Sequence, residues 1–346
     1  PMREAARMTT ADNRQLVLVD RPVGPVEDHH FELRTTAVPE PGPAQVVVET
    51  VWIGFDPTQR GWLNDVPSYM PPVQIGEPMR ASGVGRVVAS NDPAFTEGDW
   101  VTGLLGWQDY SLHGAGAGFG IQKVPDGLEP RAMLSVFGTT GVTAYFGMLD
   151  LGQPVEGETV FVSGAAGSTG SIAAQIAKLK GCTVIGSAGG PRKNAWVTDV
   201  AGIDACIDYK SEDTEARLRA LAPNGLDVYF DNVGGPTLEA ALATIAMRAR
   251  VVLCGGISSG YDMNDLPPGP RNYMQLVIMR ARMEGFIVLD YADRFGEAIA
   301  QLGQWVGERK IVYAEDIAEG LENCPATLRG LFEGANLGKQ LLKVRD

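Results

Sequence analysis

Between residues 5 and 123 the apolar positions come in short runs rich in Val, Ile, Trp and Thr, broken by Gly, Pro and Asp: QVVVETVWIGFD, ASGVGRVVASND, GDWVTGLLGW. Such runs predict strands joined by tight turns, and their close spacing predicts a small, closed or strongly bent sheet. From about residue 131 the pattern changes. Near-continuous apolar runs (ETVFVSGA, CTVIGSAG, ACIDYK, DVYFDNVG, ARVVLCGGIS) alternate with helix-period segments (GSIAAQIAKLKG, PRKNAWVTDVAG, PTLEAALATIAM). That alternation predicts a parallel sheet covered on both faces by helices and closed by right-handed crossovers. A helix is expected over residues 294–308. The terminal KQLLKVRD has the strand character of the first region, so the chain is expected to return there to finish. Residues 265–272, DLPPGPRN, are the most Pro-rich stretch and predict a surface loop, with a lid as one use for it.

The glycines of VSGAAGSTGS fall at Gly164, Gly167 and Gly170, between a strand predicted over residues 160–163 and a helix predicted over 171–180. Ser168 and Thr169 lie between the last two. The spacing is a variant of the dinucleotide-binding fingerprint, in which glycines let the backbone approach a pyrophosphate and the helix N-terminus offers it free N–H groups. A dinucleotide site that reads NAD places an Asp or Glu about 20 residues further on, against the ribose 2′-OH. Here Ser187, Ala188, Gly189 and Gly190 lead instead into Arg192 and Lys193, with Tyr209 at the end of the next strand. Two cations and a phenol suit a 2′-phosphate, which favours NADPH over NADH; the alternative is a solvated basic helix start.

Length and charge narrow the classes further. A chain of 346 residues with 45% hydrophobic content can bury two cores, and a formal net charge of −13 argues against nucleic acid or an anionic membrane as partner. Cys182, Cys206, Cys254 and Cys324 lie far apart without CxxC spacing, so neither a disulfide framework nor a structural zinc is expected, and a reducing cytoplasm fits. Neither a signal peptide nor a membrane span is expected.

Taken with SYMPPVQIGEPM (residues 68–79), GTTGVTAYFGM (138–148), FDNVGG (230–235), PPGPRNY, RARMEGFIV (280–288) and NLGK (336–339), the sequence resembles the zinc-independent branch of the medium-chain dehydrogenase/reductase superfamily. Within it, the likeness is to NADPH-dependent alkenal, alkenone and prostaglandin reductases, over nearly the whole chain. The resemblance implies an α/β fold: a GroES-like β-rich catalytic domain (residues 1–130 and 310–346) and a Rossmann doubly wound cofactor domain (131–309). It implies reduction of the C=C bond of a small α,β-unsaturated carbonyl substrate, no metal, and a homodimer built through strands of the cofactor domain. Carried over by motif, Gly164, Gly167, Ser168, Thr169, Gly170, Gly190, Lys193, Tyr209, Asn232, Cys254, Gly255, Ile257, Tyr261, Phe286, Val288 and Asn336 would surround NADPH. Relatives typically read Asp-Pro-Tyr-Met-Arg where this chain reads DPTQR, so Thr58 replaces a tyrosine that would face the substrate.

Enone reduction pushes negative charge onto the carbonyl oxygen and then needs a proton at the α-carbon, so a donor must be held near a developing enolate. Tyrosine keeps its proton at neutral pH. Tyr261 in GGISSGYD is the first candidate for that role and Tyr69 the second; for each the alternative is a packing aromatic. Thr58, Tyr69, Trp107 and Tyr273 are candidates for the substrate pocket, and Trp52 and Trp62 for its walls; for the three tryptophans the alternative is a place in the core. His29, His30 and His113 are expected at the surface, and Glu212 with Asp213 at a solvated helix start. Two rival functions keep the same cofactor: a quinone reductase, and a non-catalytic NADPH-binding protein of the crystallin type.

Overall fold

The computed structural model describes residues 12–114 and 120–345. Its first large sheet is organised around β1 (Gln45–Gly54), a strand of mostly buried residues. Antiparallel to β1 run Gly83–Ser90 and Tyr110–Gly114. Register shifts at Val47/Val48 and Thr50/Trp52 mark bulges, which bend and twist the sheet, as the dense turn signals predict.

The second sheet has six strands, β2 (Thr159–Val162), β3 (Thr183–Ala188), β4 (Ala205–Asp208), β5 (Leu226–Asp231), β6 (Ile245–Leu253) and β7 (Arg282–Gly285), in the spatial order β4-β3-β2-β5-β6-β7. Every neighbouring pair is parallel. The side chains show why the strands read as continuous apolar runs: Val160 and Val162 enter one core with Ile172 and Ile176, while Phe161 points to the other face, with Ile185 and Tyr229. Strand order reverses between β2 and β5, which opens a crevice at their carboxyl ends. The chain then returns to the first sheet through β8 (Lys339–Lys343), antiparallel to β1 and parallel to Glu315–Glu319. A ribbon of Asp12–Leu18 and Phe31–Ala37 stands beside that sheet.

Several expectations are corrected here. Trp107 is fully buried and packs between Phe31 and Phe55, with ring centroids 4.9 and 5.8 Å away, so it fills the core beneath the ribbon rather than a substrate pocket. Trp52 is half-buried and stacks under the Arg131 guanidinium, away from the cavity. His30 is not at the surface: it is buried, and its Nδ1 accepts the Glu27 N–H at 2.9 Å. Residues 265–272 are largely exposed, yet they do not line the cavity; Arg271 is pinned to Glu239 at 3.0 Å instead. Asp213 does cap a helix, accepting the Ala216 N–H.

Candidate active site

A cavity of about 620 Å³ lies between the two sheets, at the carboxyl ends of β2 and β5. Its floor on one side is the glycine turn. Helix α1 (Ser168–Leu179) starts three residues earlier than the sequence pattern predicts, so Gly170 sits in its first turn. The reason is steric: a Cβ on Gly170 would stand 2.2 Å from the Gly164 carbonyl oxygen, and only glycine lets helix and turn pack this closely. Gly164 has φ +62°, and no side chain caps α1, so its first N–H groups face the cavity end with a partial positive charge.

The neighbouring FDNVGG turn is held by one carboxylate. Asp231 Oδ1 accepts from Tyr229 Oη (2.6 Å), Ser163 Oγ (3.1 Å) and the N–H groups of Val233 and Gly234. Burial pushes this carboxyl above its ordinary value, and the four donors pull against it. Asn232 in turn donates to the Ser163 carbonyl (2.7 Å), locking the two crevice turns together.

Beyond the glycine turn, the end of β3 is cationic. Lys193 Nζ donates to the Gly334 carbonyl at 2.7 Å, and burial, then Lys210 and Arg192, lowers its pKa. A Cβ on Gly189 would meet the Tyr209 hydroxyl and Lys210 Cε at 2.7 and 2.8 Å, so these side chains converge there. Asp208 is the nearby acid, but its Oδ1 already accepts the N–H groups of Gly190 and Lys210. The group therefore fits a phosphate better than a ribose diol. Lys210 was missed from sequence, although it directly follows Tyr209.

Across the cavity stands Tyr261. Its hydroxyl oxygen accepts the Gly256 N–H at 3.0 Å, and burial pushes its pKa up to about 12. Its backbone has φ +52°, a conformation that costs a non-glycine residue about 1–3 kcal/mol and must be imposed by its surroundings. The restraint is a buried network. Asn64 Nδ2 donates to the Tyr261 carbonyl (2.8 Å), Arg60 Nη1 donates to Asn64 (2.9 Å), and Arg60 pairs with Asp262 (3.4 Å). Arg60 closes the DPTQR motif; Asn64 left no sequence signal.

Tyr69, 46% exposed, is at the rim, where its hydroxyl shares a hydrogen bond with Thr58 Oγ1 and accepts from Trp62 Nε1 at 3.3 Å. Cys254, Gly255, Ile257, Phe286, Val288 and Asn336 all border the cavity, as do Ser168 and Thr169. Tyr273 does not: Leu276 and Met279 occupy the inward side of that turn, leaving Tyr273 57% exposed on the outer surface. Polar residues unforeseen in the sequence also line it, among them Thr140, which accepts from Ser168 Oγ at 2.8 Å, and Lys339. Among the described residues, no group of three or more His, Cys, Asp or Glu side chains is placed to hold a metal ion.

The arrangement can seat a dinucleotide phosphate on one wall and offer a neutral phenol on the other. Comparison with known proteins agrees with that chemistry. Residues 14–121 match the family model for the N-terminal domain of oxidoreductase, and residues 168–304 match that for zinc-binding dehydrogenase. The chain is 44% identical to the NADPH-dependent curcumin reductase of Escherichia coli over 338 residues, covering 96% of this chain and 97% of that protein. It is 36% identical to the NADP(+)-dependent 2-alkenal reductase of Nicotiana tabacum, covering 96% and 97%. The crystal structure of CurA in complex with NADPH from Vibrio vulnificus superposes with a TM-score of 0.90 at 41% identity, covering 96% and 99%. The chain belongs to the medium-chain dehydrogenase/reductase superfamily, among its NADPH-dependent reductases.

Proposed function

We propose that the protein uses NADPH to reduce the C=C bond of small α,β-unsaturated aldehydes and ketones. The observation that supports this best is the orientation of Tyr261. Because its oxygen accepts the Gly256 N–H, its own O–H is left to donate to an acceptor in the cavity, and burial keeps it protonated. Gly164, Gly167, Ser168, Thr169 and Gly170 would hold the pyrophosphate, and Lys193, Tyr209 and Lys210 the 2′-phosphate.

When bound, NADPH supplies a hydride for the substrate's β-carbon. The carbonyl oxygen would then carry the negative charge, where the Tyr261 O–H would donate to it, and the α-carbon would take its proton from water. Leu104, Met133, Phe137, Phe286 and Leu289 give the cavity apolar walls that exclude water and fit a hydrocarbon tail. A spectrophotometric screen of NADPH oxidation tests the reading. Turnover of enals and enones supports it; turnover of quinones alone would make the protein a quinone reductase, and NADPH binding with neither turnover a crystallin-type binder.

The same reading carries four further expectations. The domain boundaries are residues 1–130 with 310–346, and 131–309. The enzyme is zinc-independent, so prolonged chelation should leave its activity intact. It acts in the cytoplasm; four free thiols fit that, and no helix among the described residues is long and apolar enough to cross a membrane. It is a homodimer: β7 is one of the two edges of the parallel sheet among the described residues, and Met274, Val277 and Ile278 are exposed close to it in the chain. Val277→Asp should yield monomers in sedimentation.

A further inference from the structure

Residues 334–339 run from the cationic end of β3 past the glycine turn to Asp56. The Gly334 carbonyl holds Lys193, the Gly338 N–H donates to the Ala166 carbonyl at 2.8 Å inside the glycine turn, and Gly338 forms a bridge pair with Gly167. The next residue, Lys339, turns the other way. Its side chain is 3% exposed, and its ammonium donates to Asp56 Oδ1 at 2.5 Å, across 283 positions of sequence.

Nothing in this stretch can slide. Gly338 has φ +71°, and a Cβ there would stand 2.0 Å from the Ala314 carbonyl oxygen; the Lys339 N–H donates to that same carbonyl at 2.9 Å. Asp56 opens the Asp56-Pro57-Thr58 turn that carries the substrate rim, and Asp56, Thr58, Tyr69 and Lys339 all border the cavity. A buried ion pair is a poor way to gain stability alone, because an apolar pair of similar volume often serves as well. What the pair does give is a directed link between a locked strand and the short turn that carries Thr58.

We propose that Lys339 is a positioning residue for substrate: through Asp56 it holds the Thr58–Tyr69 rim in register with the glycine turn. The proposal rests on the enone-reductase reading. The decisive variant is the neutral pair Lys339→Met/Asp56→Asn, assayed with cinnamaldehyde and NADPH, together with melting temperature and NADPH titration by fluorescence. The expected result is a KM for cinnamaldehyde raised about tenfold or more, with kcat and the NADPH Kd changed by less than about threefold, a loss of binding uniform to ground and transition states. A merely structural pair would show its neutral replacement at wild-type KM whatever the melting temperature, and that result would overturn the proposal. So would a rise in NADPH Kd that matches the rise in KM. If the double variant does not fold, Asp56→Glu decides: it keeps the charge but lengthens the reach, and should raise KM at wild-type melting temperature, whereas an unchanged KM rejects the role. Wild-type turnover of cinnamaldehyde tests the activity itself; the variant-to-wild-type KM ratio tests the positioning.

Discussion

The cofactor wall of the cavity is built from backbone, and the substrate wall from side chains. On the first, a Cβ on Gly170 would collide with the Gly164 carbonyl and one on Gly167 would crowd it at 3.2 Å, Gly164 itself has φ +62°, and Asp231 aligns the adjoining turn by accepting two backbone N–H groups. On the second, Tyr261, Thr58, Tyr69 and Trp62 meet as side chains from separated stretches, steadied by Arg60, Asn64 and the Lys339–Asp56 pair. Backbone geometry serves a ligand that never changes. Side chains can be exchanged one at a time, so the substrate wall can be retuned without disturbing the fold.

The comparison is most easily broken on the backbone side. Gly170→Val places atoms against the Gly164 carbonyl, so NADPH binding should weaken by more than about a hundredfold and the melting temperature fall; fluorescence titration and thermal unfolding measure both. Near-normal binding would mean that the turn is not a rigid cradle.

On the opposite wall, Tyr261→Phe keeps the ring but removes the donor. The expected loss is about tenfold to several hundredfold in kcat, with little change in melting temperature. Full kcat on every enone would make Tyr261 a packing residue. The pH profile sharpens the point: a phenol pushed up to about 12 stays protonated, and a His113 pushed down to about 4 by burial stays neutral. Neither changes charge between about pH 6 and 8, so kcat should show no ionisation limb there.

Lys193→Ala tests a side chain working on the cofactor wall. A charged contact to the 2′-phosphate contributes about 1.5–3 kcal/mol, so NADPH should bind about tenfold to a hundredfold more weakly while NADH is nearly unaffected. Equal losses for both dinucleotides would remove Lys193 from that role. The smallest effect is expected from Thr58→Tyr, which replaces the Thr58 partner of the Tyr69 hydroxyl by a ring at the rim. It should shift the ratio of kcat/KM between small enals and bulky aromatic enones by about tenfold, within the 1–3 kcal/mol that pocket contacts discriminate, and leave kcat for small enals nearly constant.

What the linear chain determined is local in origin. Alternating apolar runs fixed the parallel sheet, because strands covered on both faces favour apolar residues at successive positions, as Val160, Phe161 and Val162 show. Three spaced glycines marked the turn proposed for the pyrophosphate, since close backbone approach is a property of the residue itself, and the missing acid before Arg192 and Lys193 marked the end proposed for the 2′-phosphate. Tertiary structure decided the rest. An aromatic's place depends on what packs over it, which sent Trp107 into the core under Phe31 and Phe55 and left Tyr273 outside behind Leu276. Which of two tyrosines holds a free proton inside the cavity was settled by one N–H, that of Gly256, and by the Arg60–Asn64 network that holds Tyr261 at positive φ. The pairing of Lys339 with Asp56 has no local signature at all, because two charges 283 positions apart acquire meaning only when β8 returns beside β1 and water is excluded between them.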